Sequence, residues 1–172
     1  FISENKECGM VGPLMLYQKN PKMIWLSFAD IDMFTSQAKY KGTGKNIRSI
    51  KSADPIRVGH LPNCFMVRKD DFKAAGGFDE KYLVMFEEAD IAEKIKNKLG
   101  KSIILLPKAI TFHDVPLPVK KGRDEYLGFR SDKRVFLTAR NRIYFMRKNA
   151  NFLQFLIFLL IFNPLNIIYY VL

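Results

Sequence analysis

The sequence predicts an α/β domain followed by a basic amphipathic helix and an apolar membrane helix. Three observations lead there. Residues 87–99 repeat apolar side chains every four positions, between short apolar runs that read as strands. Residues 120–148 hold ten Lys and Arg against three acids, and residues 149–172 hold no charged side chain at all. At 172 residues with a net charge of +11, the chain suits one domain with a real core and would be crowded as two. Hydrophobic residues at 48% exclude a disordered chain. Cys8 and Cys64 stand alone, which excludes a disulfide framework or a thiolate zinc site. His60 and His113 are the only histidines, which excludes a metal site built from several of them.

Residues 1–119 read as the mixed α/β region. Residues 10–17 form a strand interrupted at Gly12-Pro13, and residues 23–28 are a second short apolar run. Residues 41–57 are basic and polar, with Gly42, Gly44 and Pro55, and read as a surface loop. A buried strand follows at 64–67. The helix at 87–99 buries Ile91, Ile95 and Leu99 on one face. Glu87, Glu88 and Asp90 complement its positive end, and Gly100 stops it. Residues 102–106 make a strand closed by Pro107, and 109–112 a shorter one ending at His113. Residues 120–151 read as a basic juxtamembrane segment that attracts anionic lipid heads. Residues 152–172 read as a membrane-embedded helix: as a helix they would span about 32 Å, against a hydrocarbon core of ~30 Å. The other reading of this tail is a buried hairpin of two short helices broken at Asn163-Pro164. A soluble helix should show one polar face, however, and this segment is apolar all round.

Gly76-Gly77-Phe78-Asp79-Glu80 leads to Phe86-Glu87-Glu88-Ala89-Asp90, then to the helix, Gly100, a strand, Pro107-Lys108-Ala109 and His113. In that order and spacing the chain resembles the family 2 glycosyltransferases of the GT-A fold, from about residue 9 to residue 148. The resemblance implies that residues 1–119 are the C-terminal part of a GT-A domain whose N-terminal nucleotide-binding half is missing, so that the fragment alone would be inactive. It implies inverting transfer of a sugar from a nucleotide-diphosphate donor to an acceptor hydroxyl, with manganese or magnesium accompanying the donor. The acceptor would be a glycan, a lipid-linked molecule or a protein. Membrane lipids would be partners and nucleic acid would not. The catalytic domain would lie on the cytoplasmic face of a membrane.

The carboxylates that open the helix suit this chemistry. An acceptor hydroxyl must lose its proton as it attacks the anomeric carbon, and a fixed carboxylate can take it. Clustering Glu87, Glu88 and Asp90 raises the proton affinity of at least one through like-charge repulsion. The alternative is a solvated acidic cap on the helix. By the family pattern Glu88 occupies the catalytic-base position, where Asp is usual. Asp90 matches a second acidic position that binds acceptor or supports the loop. His113 matches a histidine that ligates the metal or contacts the diphosphate; otherwise it is a hydrogen-bonded residue at a strand end. Asp30-Ile31-Asp32 spells the family's metal-holding Asp-x-Asp, yet only 29 residues precede it, and residues 11–25 resemble the stretch after that motif. Arg140-Asn141 resembles an Arg-Asn that follows the catalytic domain, which makes Arg140 a candidate donor contact; the alternative is a basic amphipathic helix on a membrane surface. Pro62-Asn63 departs from the family's small Gly-Ala pair and alters the donor pocket. Two other functions compete: an inactive membrane-anchored scaffold, if Glu88 cannot replace Asp, and a basic nucleic-acid-binding protein.

Overall fold

The computed structural model describes residues 1–117 and 132–166. Its centre is strand β1 (Cys8–Tyr17), buried along nearly its whole length. β1 pairs antiparallel with β2 (Asn20–Leu26), which follows it after a tight turn. A two-stranded hairpin, β3 (Phe28–Ile31) and β4 (Ala38–Lys41), stands beside the main sheet. One bridge, between Ala29 and His60, connects the hairpin to the loop after β5 (Ile56–Arg57). β6 (Met66–Val67) lies antiparallel to the first half of β1. Helices α1 (Lys69–Ala75) and α2 (Glu87–Leu99) then carry the chain back, so that β7 (Ser102–His113) enters parallel to β1. A parallel partner needs such a crossover, and the helical pattern of 87–99 supplies it. β5 closes the other edge of β7, giving the order β2-β1-β7-β5.

The first core lies between this sheet and α2: Met10, Ile103 and Leu105 meet Ile91, Ala92 and Ile95, all fully buried. α2 approaches β1 so closely that a Cβ on Gly9 would run into Ile95 Cγ2, which explains glycine there. The second core joins α2 to the helices that follow. It comprises Tyr82, Ala89, Phe145, Met146 and Phe158.

Several sequence expectations change. The two strands proposed around Pro107 are one. Leu106 pairs with Pro13 and Ile110 with Leu14, so residues 107–109 form a bulge without partners on β1, and proline is tolerated because a bulge demands no ladder donor. The run 23–28 is divided between β2 and β3 at Ser27, whose hydroxyl donates to Lys41 O. α1 has no counterpart in the sequence reading.

The α/β class stands, but the apolar membrane helix does not: among the described residues no helix is long and apolar enough to cross a membrane. Helix α3 (Asp132–Asn149) ends first. Asn151 then starts a separate helix, α4 (Phe152–Ile157), through a reciprocal capping box with Gln154. Next, Phe158–Phe162 widen into a π turn and helix resumes to residue 166. The π turn directly precedes Pro164, where an ordinary i→i−4 ladder would meet the proline ring; Asn163 N–H instead reaches back to Phe158 O. The described part of the tail therefore covers about 22 Å at ~1.5 Å per residue. One side of it is docked: Phe158 is fully buried, and Phe155 and Phe162 pack on the same core. The segment reads as apolar all round because one face packs on the domain while the other is exposed. Residues 118 and 119 of the α/β region, 120–131 of the proposed juxtamembrane segment and 167–172 of the proposed membrane helix lie outside the described residues.

Candidate active site

The Gly-Gly-Phe-Asp-Glu segment makes the turn that delivers α2. Gly76 ends α1 with φ 91°, and Gly77 follows with φ 62°, a left-handed pair that favours glycine. Asp79 caps the short 3-10 turn Glu80–Tyr82 by accepting from Lys81 N. Its other carboxylate oxygen accepts from Tyr144 Oη at 2.9 Å and Lys148 Nζ at 2.8 Å, both on α3. The Lys148 bond holds the Asp79 carboxyl down at about 2.

Residues 83–86 are under strain. Leu83, Met85 and Phe86 have φ of 61°, 71° and 72°, and Phe86 caps α2 without a side-chain hydrogen bond. What holds them is Asn141 on α3, whose side-chain amide nitrogen donates to the carbonyls of Tyr82, Val84 and Met85 at 2.8, 2.6 and 3.0 Å. Asn141 is completely buried. Arg140 donates from Nε and Nη2 to Asn141 Oδ1, which fixes the amide orientation, and from Nη2 to Lys81 O at 2.5 Å. The Arg-Asn pair is thus a clamp on the loop that positions Glu87 and Glu88, and in Arg140 the donor-contact expectation meets a residue engaged with its own backbone.

Asp90 belongs to the same clamp. It is completely buried and accepts from Tyr82 Oη, Lys148 Nζ and Asn149 Nδ2, with Lys94 Nζ at 3.0 Å. Burial pushes its pKa up, but the bonds from Lys148, Asn149 and Lys94 outweigh burial, and the carboxyl stays below its ordinary value. Asp90 supports the loop; it does not line the cavity described next.

Glu88 faces the opposite way. It lines a cavity of about 680 Å³ bounded by the β3–β4 hairpin, the start of α2, α3 and the C-terminal helix. Its Oε1 accepts from Asn63 N at 2.6 Å. Desolvation raises its pKa to about 7; the Asn63 bond opposes this and the charge of Glu87 adds to it. Asn63 makes the bond with φ 64°, a conformation asparagine tolerates better than most residues. Glu87 Oε2 is buried and has no hydrogen-bond partner among the described residues. Around Glu88 the wall holds His60, Ser36, Tyr40, Arg134 and Arg142. Burial, with a smaller push from Lys96, lowers His60 to about 4, so its imidazole is neutral at pH 7. Ser36 is completely buried, has φ 57°, and its hydroxyl has no hydrogen-bond partner among the described residues. Every non-glycine residue described with positive φ sits in this cavity wall, bonds to Glu88 or lies in the clamped loop. Strain concentrated in this way costs about 1–3 kcal/mol per residue and accompanies functional sites.

The proposed metal ligands are not gathered. Asp30 Oδ1 accepts from Gly59 N at 3.0 Å, an approach so close that a Cβ at Gly59 would strike that same oxygen. Asp32 caps Phe34 and Thr35 and bridges Lys39 at 2.9 Å, which holds it down at about 2. His113, at the end of β7, lies against Trp25 with ring centroids 3.9 Å apart and the planes tilted by 52°. Among the described residues no group of three or more His, Cys, Asp or Glu is placed to hold a metal ion. Asp30, Asp32 and His113 each have partners elsewhere and do not converge on one point. His60, Ser36, Tyr40 and the two cavity arginines carry no motif, and nothing in the sequence marks them. Asn63 was visible only as a departure from a family pattern.

The chain matches no protein-family model and no curated protein.

Proposed function

We propose that this chain carries the acceptor side and the catalytic base of an inverting glycosyltransferase similar to family 2, acting on a nucleotide-diphosphate sugar. The observation that supports it most is Glu88: a carboxylate with a proton affinity near neutrality, held at one oxygen by a backbone N–H, on the wall of a cavity large enough for a sugar. Asn63 occupies Oε1, so Oε2 is the atom that takes the proton. As the acceptor oxygen attacks the anomeric carbon, its proton passes to Oε2. The bond from that carbon to the diphosphate breaks on the opposite face, and the electron pair leaves with the nucleotide. A base with a pKa of about 7 is half ionised at neutral pH and still strong enough to draw the proton. Neutral His60 offers a hydrogen bond to a further sugar hydroxyl.

The test is transfer by the full-length protein, screened against nucleotide sugars by mass spectrometry. Glu88→Gln keeps the size of the side chain and removes the base, so transfer should fall by roughly 10²–10⁴-fold while donor binding is unchanged. Glu88→Asp withdraws the carboxylate by one methylene and should also lower the rate, because Asn63 N is spaced for Glu. Equal transfer by Glu88→Gln and the parent refutes Glu88 as the base, and no transfer by the parent with any nucleotide sugar refutes the reading and leaves the scaffold in its place.

A further inference from the structure

We propose that the second half of β7 is a docking edge for a second copy of this chain, paired antiparallel about a two-fold axis through Thr111. No residue of β7 lines the cavity, and this surface does not rest on the glycosyltransferase reading. β5 covers only the first half of β7, pairing Ile56 with Leu105 and Arg57 with Ile104. From Leu106 onward β7 keeps β1 on one side, and no described residue pairs with the other. Gln18 N donates to His113 O at 3.1 Å, so the His113 carbonyl faces β1. Backbone groups alternate along a strand, which turns the N–H and C=O of Ile110 and Phe112 to the open side. These two residues are 47% and 54% exposed. Exposure alternates as well: Lys108, Ile110, Phe112 and Asp114 are exposed, while 107, 109, 111 and 113 between them are half-buried. The four exposed residues therefore share one face. An unpaired edge carrying large apolar side chains is a template for another strand.

The order of the four side chains selects the occupant. With Thr111 on the axis, Ile110 lies opposite Phe112 of the second copy, and the two exchange both hydrogen bonds of an antiparallel pair. Lys108 then lies opposite Asp114 of the second copy, so that each end of the pairing closes with opposite charges. Neither Lys108 nor Asp114 has an ion pair among the described residues, so both are free to make this one. A slip by two residues in one direction sets Ile110 against Asp114, and in the other sets Lys108 against Phe112. A slip by one turns the exposed faces to opposite sides of the sheet. One register alone matches apolar with apolar and positive with negative, and it is the self-complementary match that a two-fold interface requires. The result continues the sheet from β1 and β7 of one copy into β7 and β1 of the next.

Sedimentation of the intact chain over a concentration series, joined to amide hydrogen exchange, tests this. The chain should dimerise with a dissociation constant on the order of 100 µM, because a short strand pair buries less than the ~1,200 Å² of a stable interface. As dimer forms, the amides of Ile110 and Phe112 should become protected from exchange, while that of Thr111, which faces β1, is protected throughout. Lys108→Glu sets like charges opposite one another at both ends and should weaken the dimer roughly tenfold, and Asp114→Lys should do the same. Joining the two substitutions in one chain reverses the sense of each pair and should restore the parental association. All three variants change exposed side chains and should leave the melting temperature of the monomer in place. A chain that stays monomeric up to ~1 mM overturns the inference and leaves the edge to an extended segment of another protein. A dimer in which the Ile110 and Phe112 amides still exchange freely overturns it too, by placing the contact elsewhere, such as the exposed apolar face of the C-terminal helix. So does a double variant that associates no better than either single one.

Discussion

Glu88 and Asp90 are two residues apart in the first turn of one helix, and the structure treats them in opposite ways. On the cavity side, Glu88 has one backbone donor and enough burial to push it up to about 7. On the clamp side, Asp90 is more deeply buried, yet Tyr82, Lys94, Lys148 and Asn149 surround it and keep it ionised. Burial therefore does not determine the state of a carboxylate; the number of donors supplied with it does. A rigid, fully paired side carries the strain that allows the other side to remain under-paired and chemically poised.

Asp90 carries the largest expected effect. Asp90→Asn leaves Lys94 and Lys148 beside a neutral amide in a buried site and should cost about 3–5 kcal/mol of stability, read from denaturant melts. The acidic limb of the pH–rate profile should still report Glu88 in whatever protein remains folded. Asn141→Ala should be milder, about 1–3 kcal/mol, because three loop carbonyls lose their donor. It should also lower kcat by roughly 10–100-fold at a temperature where the variant is folded, since the strained loop then misplaces Glu88. A stability loss with unchanged kcat would reduce the clamp to mere packing.

Smaller effects sharpen the contrast through pH. The folded-state pKa of Glu88, about 7, lies above its ordinary 4.5, so the folded protein holds that proton more tightly than the unfolded chain does. Stability from this group is complete below about 4.5 and is lost as pH rises through 7. Glu88→Gln should accordingly raise the melting temperature at pH 8 and leave it unchanged at pH 4. Asp79 runs the other way. Its folded-state pKa of about 2 lies below the ordinary 3.8, so its contribution is present above 3.8 and is lost as pH falls toward 2. Asp79→Asn should flatten the acid limb of the melting curve in that window. The two variants moving the curve in the same direction at the same pH would contradict the division between the two sides.

Much of the scaffold was legible in the residues. The helix at 87–99 has the bounds its four-residue period and Gly100 predicted, because a repeat facing a sheet leaves no other solution. The acidic residues at its start were identifiable, and the family resemblance put Glu88 at the base position and Asp90 in acceptor binding or loop support, but the division between a raised and a lowered carboxyl was not legible. That division depends on Asn63 and Lys148, which lie 25 and 58 residues away in sequence from the carboxylates they meet. The Arg140-Asn141 pair stood out, and its role as a clamp became visible only when α3 packed across the loop. The tail misled for a related reason. Residues 152–162 are apolar enough for lipid, but hydropathy does not record that Phe158 finds Tyr82 and Phe145 inside the domain.

Local order, then, was set by sequence alone: the glycines at 76, 77 and 100 stop and turn helices because few other residues adopt positive φ at so little cost, and the carboxylates open α2 because they suit its positive end. The tertiary structure decided everything that depends on which distant group arrives next to which. A pKa near 7 at Glu88, an ionised Asp90, a neutral His60 and the cavity they border are properties of a local dielectric and a donor count, and a linear chain has neither until it folds.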